Sequence, residues 1–228
     1  MLLKSNISKI EVHSEEWHSG RLAKFTASEM HNLMGEKFFT TGAKSYIYRK
    51  VGEEMTGIPC RDEVDTPATR HGLIHENEAI RKYGQSVGLE FVIVQKLIFS
   101  PDGRCGCTPD FLIVHNESED KLSYNVSTGE VKCPPTFDAY ISLFMCDSPE
   151  DVLAYSKAYF WQVIDQMDNC DALRGYLVVY HPDFRAGNMK VIEFRKINLV
   201  KYFVLLKERK AMAIQKFEEV RNCLINHK

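Results

Sequence analysis

Four places in this chain hold residue types that can do chemistry together. Thr108-Pro109-Asp110 and, twenty residues on, Gly129-Glu130-Val131-Lys132 put two carboxylates and an ammonium into segments rich in β-branched and aromatic residues. Side chains alternate along a strand, so Glu130 and Lys132 share one face. With Asp110 on a neighbouring strand, Asp110 and Glu130 offer hard oxygens suited to Mg²⁺. The Val131 carbonyl can complete such an inner shell, and Lys132 can position a water and stabilise charge on a phosphate. The plainer alternative is a cross-strand salt bridge on a solvated face. The third place is Glu76. A helical pattern from Pro67 to Val87 has an apolar stripe at Leu73, Ile80, Tyr83 and Val87, and Glu76 lies on it. A carboxylate on a buried face needs a cation, a metal or a proton; a helix-edge Glu reaching solvent is the other reading. The fourth is the pair Arg21 and Ser28. Thr26-Ala27-Ser28-Glu29 reads as a capping box, so Ser28 would sit in a first helical turn whose free N–H groups favour an anion. Arg21 offers a planar fork for phosphate oxygens. A plain helix cap beside a surface arginine would look the same. Gln162 alone reads as a polar core residue, and Trp17 as core packing.

These residues must be positioned by helices and strands in a definite order. A helix is predicted after Thr26 to about Met34, a second over Ala43 to Thr56, and a third from Pro67 to about Val87, stopped by Gly88. Strands follow over Leu89 to Ser100, Arg104 to Val114 with a break at Pro109, and Leu122 to Lys132. Pro134-Pro135 interrupts the chain. One helix from about Pro149 to Cys170, strands at Leu173 to Tyr180 and Met189 to Ile197, and a long helix capped by Asn198 complete the pattern. This is an α/β layer fold with a central mixed β-sheet flanked by helices, read as a single domain over 1–228.

Composition fits that reading. The 228 residues are 44% hydrophobic and 26% charged, which excludes a disordered, collagen-like or coiled-coil chain. A formal net charge of -2 leaves any basic surface to be local. No apolar stretch approaches the ~18 residues that cross a bilayer, and Met1 to Glu16 lacks a signal-peptide core. No membrane association and a cytoplasmic setting are therefore expected, with the seven cysteines reduced. Cys105-Gly106-Cys107 is read as buried thiols rather than a metal site.

Taken together, Pro109-Asp110 and Glu130-Val131-Lys132, preceded by a helix bearing Glu76, match the PD-(D/E)xK nuclease pattern. The flanking residues narrow this. Trp17-His18, Arg21-Leu22, Thr26-Ala27-Ser28-Glu29-Met30-His31-Asn32, Ser45-Tyr46, Thr56-Gly57, Gly72, Glu76-Asn77, Thr108-Pro109-Asp110, Glu130-Val131-Lys132-Cys133-Pro134, Gln162 and Tyr180 with Pro182 occur in order. Over roughly residues 14 to 185 the chain resembles the lambda exonuclease family of YqaJ-like phage recombination nucleases.

The resemblance implies a restriction-endonuclease-like core and a Mg²⁺-dependent 5′→3′ exonuclease, with Mn²⁺ as the alternative metal. Such an enzyme acts on double-stranded DNA ends, releases 5′-mononucleotides and leaves a 3′ overhang for a single-strand annealing protein. It further implies a homotrimer. On this pattern Asp110 and Glu130, with the Val131 carbonyl, hold the metal, Lys132 serves the water, and Glu76 and Gln162 support the site. Arg21 and Ser28 match residues that hold the 5′-terminal phosphate, and Thr108 stands where relatives often have Ser. His71 departs from the family, where lambda exonuclease has Trp, and Thr69 and Arg70 replace more apolar residues. Two other readings stay open: another PD-(D/E)xK enzyme such as a site-specific endonuclease, and a DNA-end binding module with a spent site. An iron–sulfur nuclease would need a C-x-x-C cluster that the chain lacks.

Overall fold

The structure is a computed structural model that describes residues 1–12, 14–35, 37–60, 66–88 and 93–227. The N-terminal part holds β1 (Leu2–Leu3), α1 (Glu15–Arg21), β2 (Phe25–Thr26), α2 (Ala43–Thr56) and α3 (Pro67–Val87). The middle holds β3 (Ile93–Val94), β4 (Ile98–Phe99), β5 (Cys105–Cys107), β6 (Phe111–Glu117) and β7 (Ser123–Lys132). Then come α4 (Phe137–Phe144), α5 (Pro149–Tyr155), α6 (Lys157–Asn169), β8 (Arg174–Tyr180), β9 (Met189–Arg195) and α7 (Val200–Asn226).

The larger sheet runs in the order β3-β6-β7-β8-β9, with β1 pairing on β7. It is mixed: β7 and β8 are parallel, joined by the α4–α6 crossover, and the other pairs are antiparallel. A three-stranded sheet, β2-β5-β4, stands beside it. Alternation along the strands divides the core. Leu112, Val126, Leu177 and Val179 pack towards α6 and its partners, whereas Phe111, Ile113, Val131, Val178 and Tyr180 meet Ala79, Ile80 and Tyr83 of α3. Glu130 and Lys132 are out of phase with Val131 and so face α6, as the period of two requires.

Several elements follow the sequence closely. Gly57 and Gly88 close α2 and α3 in the left-handed conformation, at φ 68° and 66°. The break at Pro109 is real, and it sends β5 and β6 into different sheets. Cys105 and Cys107 are buried free thiols.

Others differ. Ala27–Leu33 is a 3-10 segment, not an α-helix, and the Thr26 side chain forms no cap. Glu29 is buried and turned to cations, bonded to Arg49 at 3.1 Å and 3.6 Å from Lys50, because a buried carboxylate gains more from them than from a local amide. The strand expected over Leu89 to Ser100 is two short pieces in different sheets, parted where Gln95 takes φ 47°; its residues 89–92 lie outside the described residues. The helix expected over Pro149 to Cys170 is two helices. Ser156 is extended between them and its hydroxyl accepts the Tyr159 amide, so it caps α6. The sequence pattern missed α4, hidden behind Pro134-Pro135. Asn198 lies in a 3-10 turn and does not cap α7. On α3, Leu73 and Val87 are exposed, so the buried stripe is narrower, formed by Ala79, Ile80 and Tyr83. No helix among the described residues is long and apolar enough to cross a membrane.

One glycine sets the spacing of the two central strands. The Phe111 ring lies over Gly129, its register partner, where a Cβ would sit 2.0 Å from the ring. Gly129→Ala should force Phe111 out of a fully buried position and destabilise the fold by about 1–3 kcal/mol through overpacking. Urea unfolding checks this; an unchanged midpoint would show that the ring is free to move aside.

Candidate active site

The β6–β7 register puts Asp110 across from Glu130. The Asp110 amide donates to the Gly129 carbonyl at 3.0 Å, and the Val131 amide donates to Asp110 Oδ2 at 2.6 Å. The Gln95 amide donates to the Asp110 carbonyl at 3.1 Å, which pins the residue on its other side. Gln95 also reaches α3, where its side-chain amide donates to Glu76 Oε1. The left-handed turn at Gln95 thus ties the helix carboxylate to the strand that bears Asp110. In the sequence Gln95 was one polar residue in an apolar run, and that was its only signal.

Glu130 is 3% exposed and its oxygens are taken. Oε1 accepts from Lys132 Nζ and from Gln162 Nε2, both at 2.6 Å, and Oε2 accepts from Gln166 Nε2 at 2.6 Å. Lys132 Nζ also donates to Gln162 Oε1 at 3.1 Å and stands 4.9 Å from the Tyr159 ring centroid. Tyr159, Gln162 and Gln166 lie on one face of α6, at the three- and four-residue spacing of a helix.

Charge decides what this cluster can do. Burial pushes the Asp110 carboxyl well above the usual Asp range, and the charges of Glu130 and Glu76 push it further. Glu76 is raised by burial and then by Glu130, partly offset by Gln95 and Lys132. Burial alone would lower Lys132, but Glu130 and Asp110 outweigh it and the net shift is upward, so the amine stays a cation. Lys132 is therefore no proton acceptor near neutral pH. Two like charges ~4 Å apart repel by about 4 kcal/mol at an effective dielectric of 20, more than one charged hydrogen bond of about 1.5–3 kcal/mol returns. Three carboxylates against Lys132 leave a demand for further positive charge.

That demand fits a hard divalent ion. Among the described residues no group of three or more His, Cys, Asp or Glu side chains forms a ready cage. Asp110 and Glu130 supply two carboxylates, which suits Mg²⁺, an ion that keeps waters and takes substrate phosphate as ligands. At Val131 the N–H is the group bonded to Asp110.

A second site adjoins the first. Arg21, Thr26, Ser28, Thr108, Gln162 and Gln166 line one small pocket. The Arg21 guanidinium stacks on Trp17, 4.1 Å from its ring centroid, and Trp17 Nε1 donates to Thr108 Oγ1 at 3.3 Å. Trp17 is buried, as expected of core packing, but it also holds two of the pocket's walls, a role its sequence context does not reveal. Ser28 lines the pocket from the 3-10 segment, so the helix-dipole argument for it falls away and its hydroxyl remains. A larger groove of about 570 Å³ between α2 and α7 contains none of these residues. His71, at the family's departure, lies with Nδ1 3.1 Å from the Cys133 carbonyl and stacks near His75 and His181.

Residues 16–172 match the YqaJ-like viral recombinase domain. The chain belongs to that family. Three solved structures are similar to this YqaJ-like chain. An alkaline exonuclease, LHK-Exo, from Laribacter hongkongensis is 20% identical with a TM-score of 0.69, over 94% of this chain and 100% of that one. LHK-Exo in complex with dAMP is 19% identical with a TM-score of 0.67 over the same shares. A phage-related exonuclease from Haemophilus somnus 129PT is 14% identical with a TM-score of 0.66, over 88% of this chain and 96% of that one. A comparison with curated proteins finds no match. The YqaJ-like fold here is thus the α/β fold of those exonucleases.

The raised Asp110 has a consequence for stability. An Asp whose folded pKa lies above its unfolded value contributes most below the ordinary Asp range, and that contribution is lost as pH rises through the raised value. In metal-free protein, Asp110→Asn keeps the acceptor for the Val131 amide and removes the repulsion. It should raise the midpoint of thermal unfolding at pH 7–8, by ~2–4 °C for each kcal/mol relieved, and flatten the loss of stability between acid and neutral pH. Thermal scans in chelator across that range test this. A variant less stable than the parent at pH 8 would refute the electrostatic account.

Proposed function

We propose that this chain is a metal-dependent 5′→3′ exonuclease that degrades one strand of double-stranded DNA from its end. The observation that supports this best is the sharing of Gln162 by two sites: it bonds the Glu130–Lys132 pair and lines the pocket of Arg21, Ser28 and Thr108. A terminal phosphate in that pocket would set the next phosphodiester beside the carboxylates. Asp110 and Glu130, with the Val131 carbonyl, would hold Mg²⁺ or Mn²⁺. When bound, the metal supplies Lewis-acid neutralisation of charge and a more acidic water. The rest is the work of the chain. Lys132, kept cationic by its neighbours, orients the attacking water and stabilises charge on the phosphate. Gln162 fixes both Glu130 and Lys132. Glu76, held by Gln95, adds negative field and an acceptor for protons. Attack of water at phosphorus breaks the bond to the 3′ oxygen, which takes a proton from solvent and leaves as the 3′-hydroxyl of a 5′-mononucleotide, while the water's oxygen stays on the new 5′-phosphate for the pocket.

The growing 3′ overhang suits transfer to a single-strand annealing protein in phage-type recombination. We read the chain as one YqaJ-like domain over 1–228 and as a homotrimer. The exposed stripe of Phe137, Ile141 and Met145 on α4 and at its end offers apolar surface for association. Light scattering at micromolar concentration should give about three times 26.3 kDa, and a clean monomer would remove the homotrimer while leaving the chemistry intact.

The chemistry is tested on linear duplex with 5′-phosphate or 5′-hydroxyl ends, beside closed circular DNA, each with Mg²⁺. The parent should digest the phosphorylated end fastest and leave circles intact. Asp110→Ala, Glu130→Ala and Lys132→Ala should each lose at least ~10²–10³-fold in rate. Arg21→Ala should slow the phosphorylated substrate about ten- to a hundred-fold, the worth of a charge-assisted bond, and the hydroxyl substrate much less. Cut circles would favour an endonuclease, and DNA binding without turnover a spent site. Equal slowing of both ends by Arg21→Ala would end the terminal-phosphate reading.

A further inference from the structure

We propose that Gln166 is a positioning residue that couples the terminal-phosphate pocket to the metal-binding carboxylate Glu130, with the Thr26 hydroxyl as its counterpart across the pocket. The inference rests on the functional reading above and assigns it two residues not so far given a part.

Gln166 sits one helical turn beyond Gln162 and is 1% exposed. Its Nε2 donates to Glu130 Oε2 at 2.6 Å. An ionised carboxylate can only accept, so this bond settles which end of the amide is which: the nitrogen faces Glu130 and Oε1 points elsewhere. Oε1 is buried and has no hydrogen-bond partner among the described residues. Thr26 Oγ1 is buried as well and makes no hydrogen bond of good geometry, although it interacts with the nearby Tyr46 hydroxyl. Both residues line the pocket formed with Arg21, Ser28 and Thr108. Buried polar atoms in folded proteins are almost always paired. Gln166 Oε1 therefore marks a bond that a ligand completes, and the weakly held Thr26 hydroxyl on the same pocket can turn to that ligand.

Their chemistry is complementary. Thr26 can donate to a phosphate oxygen. Gln166 Oε1 can only accept, which suits a water held in the phosphate's shell. Thr26 is fixed independently of any ligand, because its own amide donates to the Tyr46 hydroxyl at 3.0 Å. Gln166 is held at one end by Glu130 and free at the other. A phosphate that engages Oε1 through that water immobilises the whole amide, and with it the Glu130 oxygen at its far end. The converse holds too: a cation that orders Glu130 orders the wall of the pocket. Coupling between two sites is reciprocal, so each ligand must tighten the other by the same factor.

The experiment is calorimetric titration of full-length protein with Mg²⁺, with dAMP, and with each in the presence of the other. The parent should bind Mg²⁺ more tightly with dAMP present, and dAMP more tightly by the same factor with Mg²⁺ present. Gln166→Met keeps the volume and loses both polar ends. It should weaken Mg²⁺ binding about 10–100-fold and bring the coupling factor near one. Thr26→Val keeps the shape and should weaken dAMP about tenfold while Mg²⁺ alone binds as in the parent; it tests the pocket half even if Gln166→Met fails to fold. Tight parent binding with an unchanged Gln166→Met curve, or parent-like dAMP binding by Thr26→Val, overturns this assignment alone. A parent that binds neither Mg²⁺ nor dAMP overturns the functional reading and this assignment with it.

Discussion

Mutual repulsion among Asp110, Glu130 and Glu76 is the constraint around which the rest of the molecule is arranged. Carboxylates crowded out of water would separate if left alone, and the raised proton affinity of Asp110 and Glu76 reflects the cost of holding them together. Here each is tethered. The Val131 amide holds Asp110, Gln95 holds Glu76, and Lys132 with two glutamines holds Glu130. The tethers are neutral amides with one exception, so they orient the carboxylates without cancelling their charge. A site with residual negative field is the outcome, and a divalent ion is its natural complement.

Those tethers dictate the architecture. Asp110 must stand at the strand end where the chain leaves one sheet for the other, and Pro109 makes that crossing. The pocket residues Arg21, Thr26, Ser28 and Thr108 belong to the smaller sheet and its approaches, while Glu130 and Lys132 belong to the larger. The helix α6 packs against both, and its polar face bonds Glu130 and also lines the pocket. That explains the break at Ser156. A separate cap lets α6 start afresh with its amide-bearing face towards the seam.

The geometry of the carboxylate–lysine cluster was legible because it depends on rules a sequence obeys. A period of two put Glu130 and Lys132 on one face, Pro109 broke the strand where Asp110 was needed, and helical spacing kept Glu76 on the buried side of α3. What was not legible depends on contacts between distant segments. Thr26 to Glu29 satisfies a local capping rule, yet Glu29 answers to Arg49 and Lys50 instead. Trp17 was indistinguishable from core packing until Arg21 and Thr108 were seen on either side of it. Gln95 and Gln166 are glutamines with no motif of their own, defined only by the carboxylates they reach.

The span of these contacts along the chain has a consequence for how the protein comes into being. Trp17 meets Thr108 across 91 positions, Lys132 meets Gln162 across 30, and Glu130 meets Gln166 across 36. A nascent chain synthesised only through β7 already contains all three carboxylates, but neither glutamine that orients Glu130. Closing loops of this length is slow compared with forming local helices. Assembly of the site thus waits on contacts between segments far apart in the chain. A chain that stops before α6 carries the carboxylate cluster without the two glutamines that orient Glu130.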